Sequence, residues 1–435
     1  MTLLVISPDY ASHLYPLVTL ATAWRAAGER VVVASGLATH GLVRGFGYER
    51  VHLQLGRGSN PGVIRAEEQP AGEDDALRGF FDATRRGAVP TLEFQARARR
   101  SDLLWNPLGV ARRVLDVIEL VRPDHVVVDH LAFGARLALT AAGIRHADVV
   151  LGHPSALTIG EEVYGLPPAF PRRLQPAPDE LAGLRAVCEA VRDQFTEQWN
   201  RALVAVNPDA STTRDAFAET GDVLLLNYPG ELHDPRRTAL LPPHAFLGSA
   251  VRDEPGDREV DAWLASGDDR PLVYVSLGSF LSVRTDVLTA VAAALRPLDV
   301  RVALACGATP REALGPVPGS WLVREVLPQV TLLRHAALAV SHGGNNSVTE
   351  ALTASVPLLL LPLSTDQFAG AAALEDAGLG EVLDPNALDP ADMTDAVRRL
   401  LALAGPARDR LGRLAASLTE HPGAERARDA LLHAD

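Results

Sequence analysis

Lysine is absent: all 41 basic residues of the chain are arginine. That excludes a Walker-type lysine on a nucleotide phosphate, a pyridoxal Schiff base and a lysine general base. Cysteine is almost absent. Cys188 and Cys306 stand far apart and near no histidine at ligand spacing, so neither a disulfide framework nor a zinc site is indicated, and a reducing cytoplasm is the expected setting. Long apolar runs are missing too. The longest, Val356 to Leu363, is broken by proline and falls far short of a membrane span, so no transmembrane segment is expected. The N-terminus, MTLLVISPDYASH, has an apolar start without a basic flank and reads as a first strand rather than a signal peptide. With a formal net charge of −13 and no basic stripe, nucleic acid is not an expected partner. Phosphate held by backbone amides remains open.

What is present is a globular chain. Its 435 residues, 47% apolar and 22% charged, exceed one hydrophobic core and predict two domains or more. Leu3 to Ile6 reads as a buried strand, a helix follows to about Ala27, and Val31 to Ala34 is the next strand. Pro16 suits the first turn of that helix, which places His13 on a strand-to-helix loop at the carboxyl end of the sheet, where doubly wound domains carry their chemistry. A strand ending in Asp129 puts that carboxylate at the same end of the same sheet. There it suits either a pair with His13 or an ordinary helix cap. Leu53 to Trp105 reads as irregular; it contains GRGSNPG, expected to be a solvated loop, and the run AEEQPAGEDD. Strands at Leu203 to Asn207 and Val223 to Asn227 close the first half, and the proline-rich, charged stretch 229–256 reads as a linker. A second alternating series follows: a helix Glu259 to Ala265, a strand Leu272 to Ser276, a helix after Arg284, strands Arg301 to Ala305 and Trp321 to Val326, and finally a helix over Leu411 to Leu432.

The most informative stretch runs from Leu338 to Gln367. It reads as a buried strand, Leu338 to Ser341, a turn His342-Gly343-Gly344-Asn345, a helix from about Asn346 to Ser355, a strand Pro357 to Leu361, and a loop ending in Asp366-Gln367. The two glycines allow close approach of the backbone, Asn346 or Ser347 is placed to cap the helix, and its free N–H groups face the carboxyl end of the strand. That is an anion site, most simply for a phosphate. His342 adds a donor at the turn, and Glu350 lies one helical turn after Asn346.

HGGNNSVTEAL followed by PLLLLPLSTDQ resembles the sugar-nucleotide signature of the glycosyltransferase family 1 enzymes, and the resemblance covers nearly the whole chain. It implies an α/β architecture of the GT-B kind: two facing Rossmann-like doubly wound domains (1–228 and 257–410, joined by 229–256), a cleft between them, and a C-terminal helix, 411–435, crossing back onto the first. It also implies roles. His342 would meet the α-phosphate, Asn346 and Ser347 the β-phosphate, Glu350 the ribose, and Asp366 with Gln367 the sugar hydroxyls. The turn glycines Gly343 and Gly344 belong to the same signature, Ser276-Leu-Gly278-Ser279 resembles the loop that offers Gly278 and Ser279 to the donor phosphate, and the backbone beside Pro328 and Gln329 would hold the base. The SHxxP context identifies His13 with the family's catalytic base and Asp129 as its orienting partner.

The implied activity is inverting transfer of a hexose or deoxyhexose from a UDP- or dTDP-sugar to a hydroxyl of a small hydrophobic aglycone, as in bacterial antibiotic tailoring. The HGGxNS form resembles members that use UDP-sugars more than those that use dTDP-deoxysugars. No Asp-x-Asp triplet occurs, so neither a metal nor any other cofactor is expected. The partners are then the nucleotide-sugar and the acceptor, in a monomer or homodimer. Two other classes share the layout: a sugar-nucleotide epimerase and a catalytically silent nucleotide-sugar-binding protein.

Overall fold

The computed structural model describes residues 1–63 and 73–433. Most of the run AEEQPAGEDD lies outside the described residues. The first half is built on a parallel sheet of β1 (Thr2–Ile6), β2 (Arg30–Ser35), β3 (Glu49–His52), β4 (His125–Asp129), β5 (Ala147–Val150), β6 (Val223–Leu226) and β7 (His244–Phe246), in the order β3-β2-β1-β4-β5-β6-β7. The second is built on β8 (Leu272–Ser276), β9 (Arg301–Ala305), β10 (Leu322–Arg324), β11 (Leu338–Ser341), β12 (Leu358–Leu360) and β13 (Gly380–Val382), ordered β10-β9-β8-β11-β12-β13. The central strands read as unbroken apolar runs because helices cover both faces: Leu4, Val5 and Ile6 of β1 and Val273 and Val275 of β8 are all 0% exposed. These are the two facing doubly wound domains that the sequence implied.

Helices that matter for the site are α1 (Ala11–Leu20), α2 (Glu73–Arg86), α3 (Ala88–Asp102), α4 (Phe133–Ala141), α5 (Pro178–Val206), α6 (Asn345–Thr353), α7 (Gln367–Ala377), α8 (Gly405–Glu420) and α9 (Gly423–His433). Several differ from expectation. Leu203 to Asn207 is not a strand but the last turn of α5, whose buried Leu184, Cys188, Val191, Phe195, Trp199 and Leu203 recur at helical spacing. Leu53 to Trp105 is not irregular throughout, since α2 and α3 form a helical hairpin. Gly79 permits its close packing, because a Cβ there would come within 2.8 Å of the Phe94 ring. The stretch expected as a linker carries β7, which pairs with β6 and completes the first sheet. The C-terminal segment is two helices, broken at His421-Pro422. α8 touches the edge of the first half, with Leu418 against Gly248 and Ser417 donating to Glu231 at 3.2 Å. α9 packs back on it, where Ala427 and Leu431 join the core around Leu14, Leu17 and Trp24, and where Arg428 pairs with Glu29 at 2.8 Å.

The two halves also share a core. Phe80 and Phe81 of α2, a first-half helix, sit in the second-half core beside Phe280, with ring centroids 5.3 and 5.6 Å from it. Arg284, 1% exposed, donates to the Thr84 carbonyl at the end of α2, 3.2 Å away, and to Asn386 at 2.8 Å.

Candidate active site

Each sheet reverses its strand order once, between β1 and β4 in the first and between β8 and β11 in the second. Loops leaving the carboxyl ends of such neighbours meet across an open crevice. In the first half this brings His13, in the first turn of α1, to Asp129, the last residue of β4, with Nδ1 and Oδ2 2.8 Å apart. The other Asp129 oxygen accepts the Leu131 N–H at 2.8 Å, which fixes the carboxylate. Asp129 is 2% exposed and His13 28%, so the acid is a buried anchor and the ring lines the cavity. Burial works against a charged His13 ring, but Asp129 beside it prevails and its pKa is raised above 6.5. Behind the pair, buried Arg136 donates to the His130 carbonyl at 3.0 Å and lies 2.9 Å from Asp148, holding the chain just after Asp129. Asp148 is deeply buried, yet Arg136 keeps its carboxyl at about 2.

In the second half Ser276 pairs with Ser341, so the turn at Gly278 lies beside His342. The imidazole is wedged between two glycines. A Cβ on Gly278 would come within 2.8 Å of His342 Cε1, and one on Gly344 within 2.5 Å of Nε2. Gly278 and Gly343 also hold φ of 71° and 84°, backbone that side chains rarely adopt. Burial alone lowers the His342 pKa to about 4, and its buried Nδ1 has no hydrogen-bond partner among the described residues. This ring is neutral at neutral pH. The cap of α6 is Gly344, not Asn346 or Ser347 as expected; with no side-chain cap bond there, the first-turn N–H groups of α6 remain available to an anion.

The two sites face each other across one cavity of about 1020 Å³. It is lined by His13, Asp129, Gly278, Ser279, Gln329, His342, Gly344, Asn346, Ser347, Glu350, Asp366 and Gln367. Pro328 and Gly343 are not among its lining residues. Pro328 caps the short helix that begins at Gln329, and Gly343 serves the turn, its N–H donating to Ser341 Oγ at 3.2 Å.

Four bonds stitch the cleft around the site. Asn346 Nδ2 donates to the Ser12 carbonyl at 2.9 Å. That carbonyl is free because Pro16, four residues on, has no N–H to give it; Pro16 lies inside α1, not in the first turn. Asn345 donates to the Leu151 and Asn227 carbonyls at 2.8 and 2.7 Å. Asp366 accepts the His153 N–H at 2.5 Å.

Some residues with implied ligand roles are already partnered within the protein. Glu350, 4% exposed, accepts from Arg252 at 2.6 Å and from Gln329 at 2.5 Å. Gln367 Oε1 accepts the Leu363 and Ser364 N–H groups at 3.0 and 3.1 Å, which clamps its own loop. GRGSNPG is solvated only in part: Arg57 and Pro61 are exposed, but Asn60 is 1% exposed, exchanges backbone bonds with Asp9 and Ala11, and helps to line the cavity beside His13. Sequence reasoning singled out neither Arg252 nor Arg136, and it noted Asn345 without a role. Only Asn345 carried a signal, its place directly after the glycine pair. The cavity is also lined by Trp105, Phe133 and Tyr164 of the first half, with Arg99 and Gln95, and by Phe80 and Phe94, which pack against the second-half core. Among the described residues no three metal-capable side chains converge, and no helix is long and apolar enough to cross a membrane.

A family model described as UDP-glucoronosyl and UDP-glucosyl transferase matches residues 184–405, half of the chain, including the whole donor-side turn. The chain belongs to that family. Within it, the chain is 30% identical over 154 residues to NDP-glycosyltransferase YjiC of Bacillus subtilis (strain 168), covering 35% of this chain and 38% of that protein. It is 26% identical to 10-deoxymethynolide desosaminyltransferase of Streptomyces venezuelae over 92% of this chain and 89% of that one. The matches span between 38% and 55% of the length of the first three curated relatives. The fold of this family member superposes on the crystal structure of the glycotransferase of kitacinnamycin with a TM-score of 0.69, at 20% identity, over 100% of this chain and 98% of that one. The architecture is GT-B.

Proposed function

We propose that the protein is an inverting glycosyltransferase that moves a hexose or deoxyhexose from a UDP- or dTDP-sugar to a hydroxyl of a small hydrophobic natural-product aglycone. The observation that carries this reading is the His13–Asp129 pair at 2.8 Å, facing the α6 N-terminus across one cavity. With Nδ1 committed to Asp129, His13 Nε2 takes the proton of the acceptor hydroxyl. The freed oxygen attacks the anomeric carbon, and the bond from that carbon to the diphosphate oxygen breaks. Asp129 stabilises the imidazolium that forms. The diphosphate charge is met by the first-turn N–H groups of α6, by Ser279 and by the neutral His342 N–H, and no metal is invoked. Direct displacement gives a β-glycoside from an α-linked donor. Glu350, Asp366 and Gln367 stay assigned to the ribose and sugar, each at the cost of sharing atoms already bonded within the protein.

Aromatic side chains of the first half line the cavity, which suits a flat or macrocyclic aglycone. The macrolactone-directed name of the Streptomyces relative points the same way. The test is incubation with UDP-glucose or dTDP-glucose and a panel of hydroxylated polyketide, macrolide and aromatic acceptors. Glycoside together with free nucleoside diphosphate is the expected product. An isomerised nucleotide-sugar without acceptor would assign the protein to the epimerases instead, and binding without turnover would make it a silent binder.

A further inference from the structure

We infer that Arg252 sets donor specificity, by occupying the side of Glu350 that a ribose 2′-hydroxyl would otherwise take, so that the site accepts 2′-deoxyribonucleoside diphosphates about as well as ribonucleoside diphosphates. The inference rests on the donor reading above, with Glu350 at the sugar of the nucleoside.

A ribose grips a carboxylate by donating its two neighbouring hydroxyls to the two oxygens. Here both oxygens of Glu350 are in use, Oε1 by Arg252 at 2.6 Å and Oε2 by Gln329. Neither donor is loose. Arg252 also donates to Glu254 at 2.8 Å, and its guanidinium lies over the Tyr15 ring, 5.2 Å from the centroid. Glu254 is itself held by the Thr331 N–H at 2.9 Å, at the helix beside which the base would sit. Gln329 is held from the other side, its carbonyl accepting the Tyr274 hydroxyl at 3.2 Å. A neutral hydroxyl does not displace a tethered guanidinium from a carboxylate that is 3% exposed, because breaking such a pair leaves a buried charge uncompensated. Glu350 borders the cavity and its oxygens keep unused lone pairs, so it can still accept from one further donor. The 3′-hydroxyl, present in both kinds of nucleotide, is that donor, and the 2′-hydroxyl gains little.

Arg252 lies in the chain that joins the halves and touches both, Tyr15 in the first and Glu350 in the second. It lines the cavity with Tyr15, Tyr274, Gln329, Ser347 and Glu350.

The test is calorimetric titration with UDP and 2′-deoxy-UDP, which share base and phosphates and differ only in the hydroxyl at issue. The wild-type protein is expected to bind the two within about threefold of each other. Arg252→Met is expected to favour UDP by about tenfold, the worth of one recovered hydrogen bond. Arg252→Lys, which keeps a cation beside Glu350, is expected to keep the wild-type ratio. A tenfold preference for UDP in the wild type, or a ratio unchanged in Arg252→Met, overturns the inference while leaving the donor reading intact. The wild-type ratio decides the matter even if the methionine variant does not fold. Failure of the wild type to bind either nucleotide would instead remove the donor reading, and this inference with it.

Discussion

His13 and His342 both stand where their sheets reverse order, but on opposite sides of the switch: His13 follows β1, the counterpart of β8, and His342 follows β11, the counterpart of β4. Burial pushes both rings toward neutrality. In the first half Asp129, 2.8 Å away, more than offsets that push, and the His13 pKa rises. In the second half, among the described residues, no carboxylate shifts the ring and its Nδ1 has no partner, and burial lowers the pKa to about 4. The same residue type at the crevice end of each sheet is therefore biased toward holding a second proton in the first half and toward the neutral ring, with a single N–H, in the second. What separates them is one carboxylate at the end of β4.

The comparison breaks most visibly if the first histidine is removed. His13→Ala is expected to lower turnover by about 10²–10⁴, the usual worth of a general base, while calorimetric affinity for the nucleoside diphosphate stays near wild type, because the site proposed for that ligand lies in the other half. Retained turnover in this variant would falsify the assignment of the base. Asp129→Asn is expected to cost somewhat less, about 10²-fold or more, and the double variant should be little worse than His13→Ala, since the two residues act as a unit.

Smaller effects sharpen the second half. His342→Ala is expected to weaken nucleotide binding by about tenfold, one hydrogen bond to the diphosphate. In the ligand-free wild type, NMR should find the His342 ring signals unmoved from pH 6 to 8 while those of His13 titrate. Two titrating rings would erase the contrast. The smallest effect is expected from Pro16→Ala, which restores an N–H that competes with Asn346 for the Ser12 carbonyl. Transfer should slow by about threefold, roughly the worth of one hydrogen bond, while thermal denaturation shows α1 no less stable, since an interior proline is removed. A slower enzyme that is also markedly less stable would mean that Pro16 acts on the helix and not on the cleft.

Much of the scaffold was legible because buried parallel strands leave a clear mark. Leu272 to Ser276, Arg301 to Ala305 and Leu338 to Ser341 are apolar runs bounded by turn residues, and each is a strand over those residues. The same mark misled at Leu203 to Asn207, where a short β-branched run is the end of a long helix whose period becomes visible only over α5 as a whole. It was missing at β7, three residues long on a sheet edge and embedded among prolines. The site divides in the same way. Residues that a local turn presents, such as His13, Asp129 and His342, could be placed from strand ends. Partners brought together by the closing of the two halves could not: Arg252 meets Glu350 across 98 positions, and Asn345 meets Leu151 across 194. No local pattern encodes such pairs, so the resemblance that implies ligand roles for Glu350 and Gln367 does not show that each already has donors within the protein.

The account turns on Asp129 making His13 a base, and the pH dependence of kcat/KM in the wild type and in Asp129→Asn tests that most directly. A base works only when deprotonated, so a raised His13 pKa predicts that wild-type kcat/KM falls as the pH drops through a value above 6.5. In Asp129→Asn burial and the Arg99 charge disfavour the protonated ring and only the weaker pull of Asp366 opposes them, so the residual activity should lose its acid limb to a value below 6.5. The same limb at the same pH in both proteins, or none in either between pH 5 and 8, would contradict the account.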